Sequence, residues 1–130
     1  MNTVVIRLGS NSSDCQYQID FAIRHIMSKL ENVSVSSIYE SEALNGVDAP
    51  YLNTVLVAES SMMLDDVTAF LKQWERLCGR TPESKLQGVI PIDLDVVVWI
   101  DIVLKKKDFS YRFFSRGYNE LVASGAIISI

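Results

Sequence analysis

Asp93 and Asp95 are the residues whose type and spacing point most directly to chemistry. They lie in Ile92-Asp93-Leu94-Asp95-Val96-Val97-Val98, a run rich in β-branched residues that reads as a strand. Residues i and i+2 of a strand share a face, about 6–7 Å apart at a rise of ~3.3 Å per residue. Two carboxylates so placed can hold a hard cation, and Mg²⁺ suits a few carboxylates combined with substrate phosphates. Such an ion neutralises charge as a phosphoryl group moves. Asp-x-Asp is weak by itself, being equally compatible with two solvated aspartates at the start of a strand.

Two further groups could contribute. Gly9-Ser10-Asn11 follows a short β-branched strand, and small residues there let backbone or ligand approach closely. It is not a P-loop, because G-x-x-x-x-G-K-[ST] occurs nowhere in the chain. Arg112 and Arg116 are interleaved with Tyr111, Phe113, Phe114 and Tyr118, a mixture that can stack a heterocycle and grip phosphate or can simply pack a core. The single histidine, His25, falls opposite the apolar stripe of its helix and is expected at the surface. Histidine-dependent Ser or Cys hydrolysis is therefore excluded as a working class.

The elements that position these groups follow from periodicity. Thr3–Leu8 reads as a strand, and Asp14 is placed to cap the helix carrying Ile19, Ile23, Ile26 and Leu30 on one face. Val33–Tyr39 and Leu52–Glu59 read as strands, separated by a loop over 40–50. A second helix over Met63–Cys78 presents Val67, Phe70, Leu71, Trp74 and Cys78, with Asp65 and Asp66 favourably placed in its first turn. Gly79–Pro91 is expected to be an irregular loop. Ile92–Leu104 is too long for one strand and is expected to contain a bend or hairpin. The order β-α-β-β-α-β plus a C-terminal element predicts an α+β, ferredoxin-like fold, an antiparallel sheet with two helices on one face.

With 130 residues, the chain 1–130 is expected to form one domain. It has no apolar run of membrane-spanning length and no signal-like start at Met1-Asn2-Thr3, so the cytoplasm is the expected location. A net charge of −4 argues against broad nucleic-acid binding, and Lys105-Lys106-Lys107 reads as a solvated turn between strands. Cys15 and Cys78 are too far apart for a C-x-x-C motif and are expected to be small buried hydrophobes.

Taken in order, Gly9-Ser10-Asn11, Tyr51-Leu52-Asn53, Glu75 with Gly79-Arg80, Asp93-Leu94-Asp95 and Arg116-Gly117-Tyr118 resemble the 6-hydroxymethyl-7,8-dihydropterin pyrophosphokinase family of folate biosynthesis. The resemblance implies transfer of the β,γ-diphosphate of ATP to the pterin hydroxymethyl group, with Mg²⁺ held by Asp93 and Asp95. It implies that Arg80 joins the two aspartates in catalysis. It places Leu44, Tyr51, Asn53 and Tyr118 at the pterin, with Asn53 reading the ring's hydrogen-bonding edge. It places Glu75, Arg80, Tyr111 and Arg116 on the nucleotide side. The implied partners are small molecules, pterin and ATP, and the chain is expected to act as a monomer.

The departures from that pattern cluster near the chemistry. Ile90 stands in place of a phosphate-binding arginine, Gln87 in place of a tryptophan, Pro82 in place of a basic residue and Ser110 in place of a histidine. A weakened or altered enzyme, a non-catalytic homologue binding a pterin, a nucleotide or a protein, and a plain interaction domain are the three readings left open.

Overall fold

Val4, Ile6 and Leu8 alternate with Val5 and Arg7, and this alternation becomes the central strand of the fold in the computed structural model, which describes residues 1–128. The elements are β1 (Asn2–Ser10), α1 (Cys15–Met27), β2 (Glu31–Val35), β3 (Tyr39–Ser41), β4 (Tyr51–Ser60) and α2 (Leu64–Leu77), followed by α3 (Pro82–Leu86), β5 (Asp93–Trp99), β6 (Ile102–Val103), α4 (Lys106–Ser110) and α5 (Arg112–Ala123). The sheet runs β2-β4-β1-β5-β6, with β3 also pairing β4, and every pairing is antiparallel. Counting β2 and β3 as one interrupted strand gives the expected β-α-β-β-α-β order, an α+β ferredoxin-like sheet.

The two faces of the sheet carry separate cores. Val4, Ile6, Leu8, Leu56, Ala58, Leu94 and Val96 pack beneath Ile19, Ala22 and Ile26 of α1 and Val67 and Leu71 of α2. Val5, Val55, Val57, Val97 and Val98 pack against Phe113, Phe114, Tyr118 and Leu121 of α5. The C-terminal element therefore gives the second face a helix of its own.

Several expectations are corrected. Gly79–Pro91 is not wholly irregular, because Thr81 and Ser84 form a reciprocal capping box that starts α3, with Pro82 in its first turn. Asp14 occupies the N-cap position of α1 but makes no cap bond; its carboxylate instead accepts from Ser12 Oγ at 2.6 Å and Gln18 Nε2 at 3.2 Å. His25 is half-buried rather than superficial, stacked on Phe70 at 4.5 Å and Trp74 at 4.1 Å between α1 and α2, and burial lowers its pKa. Lys105–Lys107 is not a turn between strands but the entry to α4. The expected hairpin is present: β5 turns through Ile100, at φ +61°, and Asp101 into β6. Cys15 and Cys78 are free and half-buried, and no helix among the described residues is long and apolar enough to cross a membrane.

Candidate active site

Strand register assembles the site. Gly9 of β1 lies between Asn53 of β4 and Asp93 of β5, and Arg7, two residues back, lies between Val55 and Asp95. Side chains on alternate residues share a face, so Arg7, Asn53, Asp93 and Asp95 all project towards the side covered by α5. The α5 aromatics cover one end of that face, and the other end opens into a cleft of about 310 Å³. Arg7, Leu44, Tyr51, Asp93, Asp95 and Phe113 are among its lining residues, together with Asp48 and Asp108.

Each carboxylate of the Asp-Leu-Asp pair meets two cations. Asp93 Oδ2 accepts from Arg7 Nη1 at 2.8 Å and Asp93 Oδ1 from Arg80 Nη1 at 2.7 Å. Asp95 Oδ1 lies 3.4 Å from Lys72 Nζ and 3.3 Å from Lys105 Nζ. Burial acts to raise the Asp93 pKa, but the Arg7 charge and the Arg80 hydrogen bond outweigh it and hold the carboxyl below its ordinary range. A carboxyl depressed in this way stabilises the fold above its unfolded pKa, and that contribution is lost as pH falls through the folded value. Asp93→Asn is therefore expected to be less stable than the parent near neutrality, with the gap narrowing below about pH 4. Denaturant midpoints of the two proteins across pH check this. The difference between them is the informative quantity, because burial raises the pKa of the neighbouring Glu75.

Glu75 ties the site to α2. Its Oε2 accepts the Leu94 backbone N–H at 2.7 Å and Lys72 Nζ at 3.1 Å, and forms an ion pair with Arg80 Nη1 at 3.1 Å. Lys72 donates to the Leu94 carbonyl at 2.9 Å. The two-residue β6 pairs only with the Val98–Trp99 end of β5, so these α2 side chains satisfy the Leu94 backbone groups in place of a further strand. Beyond them is a second hollow of about 420 Å³, lined by Lys72, Glu75, Arg76, Arg80, Thr81, Pro82 and Lys85. Four cationic side chains against one carboxylate suit that hollow to an anion.

The Gly9-Ser10-Asn11 loop braces the site. Asn11 Oδ1 accepts from the Ile90 N–H at 2.6 Å, and Asn11 Nδ2 donates to the carbonyls of Gly88 at 2.8 Å and Ala49 at 3.3 Å. Ile90 is thereby a buried anchor, while Gln87 is exposed at the end of α3 and Ser110 donates to the Lys107 carbonyl.

The singled-out residues divide into two sets. Leu44, Tyr51, Asp93 and Asp95 line the cleft, Asn53 is fully buried directly behind Arg7, and Glu75 and Arg80 join the carboxylates to the basic hollow. Tyr118 does not face the cleft: it is buried in the second core against Phe109 and Phe114. Arg116 lies over the Tyr39 ring at 5.2 Å, on the surface of α5, and Tyr111 stacks on Phe113. The aromatic of this segment that lines the cleft is Phe113, because the α5 stripe turns Phe114, Tyr118 and Leu121 inward.

Sequence reasoning also missed Arg7 and Lys72. An arginine inside the otherwise apolar run Val4-Val5-Ile6-Arg7-Leu8 was the available signal, since an unpaired charge is seldom tolerated in a central strand.

As a metal centre the pair is incomplete. Among the described residues, no group of three or more His, Cys, Asp or Glu side chains is arranged to hold an ion. The donors are hard oxygens of the right kind for Mg²⁺, so the residues fit an ion arriving on a polyphosphate that completes its shell, rather than one held by protein alone.

The profile of the 7,8-dihydro-6-hydroxymethylpterin-pyrophosphokinase family matches residues 5–120. A relative, the 2-amino-4-hydroxy-6-hydroxymethyldihydropteridine pyrophosphokinase of Aquifex aeolicus (strain VF5), is 33% identical over 108 residues, covering 82% of this chain and 67% of the relative. The matched span runs from β1 into α5 and takes in both aspartates, Glu75, Tyr51 and Asn53. This chain belongs to the 7,8-dihydro-6-hydroxymethylpterin-pyrophosphokinase family.

Proposed function

We propose that the chain transfers the β,γ-diphosphate of ATP to the hydroxymethyl group of 6-hydroxymethyl-7,8-dihydropterin, releasing AMP, as a step in folate biosynthesis. The observation that carries this reading is the position of Asp93 and Asp95, between an aromatic cleft and a hollow lined by four cations. The pterin would lie in the cleft beside Tyr51 and Phe113, and the triphosphate along Arg80, Lys72 and Lys85. The pterin hydroxyl oxygen bonds to Pβ and releases its proton to solvent, the bond from Pβ to the oxygen bridging Pα breaks, and AMP leaves with that oxygen. Phosphoryl transfer relies on positioning and charge rather than on a protein nucleophile, which suits a chain whose single histidine is packed between α1 and α2, away from the cleft. Asp93 and Asp95 would hold a Mg²⁺ ion carried on the nucleotide, whose charge offsets that of the phosphates. The reading takes residues 1–130 as one catalytic domain, a cytoplasmic monomer acting on small molecules, with neither nucleic acid nor membrane as partner.

The absent cations lower the expected rate. Ile90 is a buried anchor, Pro82 starts a helix, Gln87 is exposed, and the Ser110 hydroxyl is bonded within α4. Lys85 can supply charge in this loop, but a lysine lacks the bidentate fork of an arginine. These positions favour, as a second reading, a homologue that binds ATP or pterin without turnover. AMP release, measured with ATP, Mg²⁺ and the hydroxymethyl pterin together and with each omitted in turn, separates the two. The enzyme reading expects AMP only when both substrates are present. Saturable binding of both ligands with no AMP formation would establish the second reading instead.

A further inference from the structure

Arg7 is the one charged side chain that points from the middle of β1 into the cleft face, and it is 6% exposed. Gly9, on the same face, has no side chain, and the guanidinium folds forward over it. A Cβ built on Gly9 would come within 2.3 Å of Arg7 Nη2 and 2.5 Å of Arg7 Cζ. The slot above Gly9 is therefore filled by the guanidinium. There Nη2 donates to Asn53 Oδ1 at 2.7 Å and Nη1 to Asp93 Oδ2 at 2.8 Å. Cζ lies 4.7 Å from the centroid of the Phe113 ring and 5.5 Å from that of Tyr51.

These contacts describe a binding site for a flat, donor-rich heterocycle. Two acceptor oxygens flank the slot, and two aromatic rings offer their faces. The 2-amino-4-oxopyrimidine half of a pterin presents N3–H and its 2-amino group as a planar two-donor edge, matching one edge of a guanidinium. Arg7 already satisfies those acceptors, and Asn53 is fully buried behind it. The guanidinium is also imperfectly held: among the described residues its buried Nε has no hydrogen-bond partner. Its departure would leave Asp93 still paired with Arg80.

We infer that Arg7 is an internal occupant of the heterocycle subsite, mimicking the aminopyrimidine edge of the pterin, so that ring binding requires the guanidinium to leave. This rests on the reading that the cleft takes a pterin. Affinity for the ring is then reduced by the fraction of molecules in which Arg7 has left the slot, and removing the side chain restores it.

Three measurements test this. Calorimetry should show Arg7→Ala binding 6-hydroxymethyl-7,8-dihydropterin at least about tenfold more tightly than the parent. Guanidinium chloride at low millimolar concentration should raise the thermal midpoint of Arg7→Ala but not that of the parent, since only the variant has an open slot. In the parent, the Arg7 side-chain ¹⁵N resonances, assigned by their loss in Arg7→Lys, should be distinct without ligand and should move to solvent-like positions as pterin saturates. Equal pterin affinity in parent and Arg7→Ala, with Arg7 resonances unmoved, overturns the occupant and leaves the pterin reading intact. Pterin binding by neither protein, with guanidinium still stabilising Arg7→Ala, keeps the occupant and overturns the pterin reading. If Arg7→Ala does not fold, the parent resonances decide alone, and unmoved signals at saturating pterin overturn the proposal.

Discussion

Replacing Asp95 by alanine is expected to lower AMP formation by roughly 10³-fold, comparable to the loss of other groups that stabilise transition-state charge in acyl and phosphoryl transfer. The two aspartates are not equivalent. Asp93 is held by two arginines at 2.7 and 2.8 Å, whereas Asp95 meets only lysine ammonium groups at 3.3 and 3.4 Å, from side chains 46% and 38% exposed. Exposed, flexible lysines are readily displaced, so Asp95 is the carboxylate better placed to accept a nucleotide-borne cation. Removing it frees Lys72 and Lys105 without leaving a buried charge, so the fold should survive and the loss should fall on kcat. Steady-state AMP release by Asp95→Ala, alongside its denaturation curve, checks both halves. A variant that kept its stability and lost less than about tenfold in rate would show that the Asp-Leu-Asp pair is not the chemical centre.

The second large effect concerns stability. Glu75→Ala should lower unfolding free energy by about 2–3 kcal/mol, whereas Glu75→Gln should cost distinctly less. The alanine variant strips the Leu94 N–H of its acceptor and leaves Lys72 and Arg80 without their shared carboxylate. A buried backbone donor without a partner costs about 1–3 kcal/mol. The ionic part is discounted because Lys72 and Arg80 are 38% and 29% exposed. Glutamine keeps an oxygen for Leu94 and loses mainly the charge. A drop in the denaturant midpoint without a change in slope is the expected signature. Equal losses for the two variants would mean that the Leu94 hydrogen bond contributes little.

Periodicity made most of the scaffold legible. The apolar spacing of Ile19, Ile23 and Ile26, the stripe Val67-Phe70-Leu71-Trp74 and the β-branched run through Val98 each led to the right kind of element. The hairpin in Ile92–Leu104 was legible from length alone. α3 escaped because its five residues are too few to show a period, and only its start signals, the Thr81–Ser84 capping pair and Pro82, mark it. His25 was misplaced because a helical wheel describes one helix, whereas α2 lays Phe70 and Trp74 against the flank of α1.

At the site, the Asp pair, Tyr51 and Asn53 were visible as motifs, and strand register brings them onto one face. Tyr118 and Phe113 could not be told apart in a segment with aromatics at 111, 113, 114 and 118. Which of them faces the cleft depends on the rotation of α5 over Val55 and Val57, a tertiary property. The cation network was illegible for the same reason. Arg7, Lys72, Arg80 and Lys105 come from four separate segments and meet only in the folded sheet.

Phosphorus-31 NMR can follow directly whether Asp93 and Asp95 direct diphosphate transfer from ATP to a hydroxymethyl pterin. The protein would be mixed with ATP, Mg²⁺ and 6-hydroxymethyl-7,8-dihydropterin. AMP and a pterin diphosphate ester are expected to rise in equal amounts as ATP falls, with no such change when Asp95→Ala replaces the parent. ADP with inorganic phosphate, or product formation no faster than in Asp95→Ala, would contradict it.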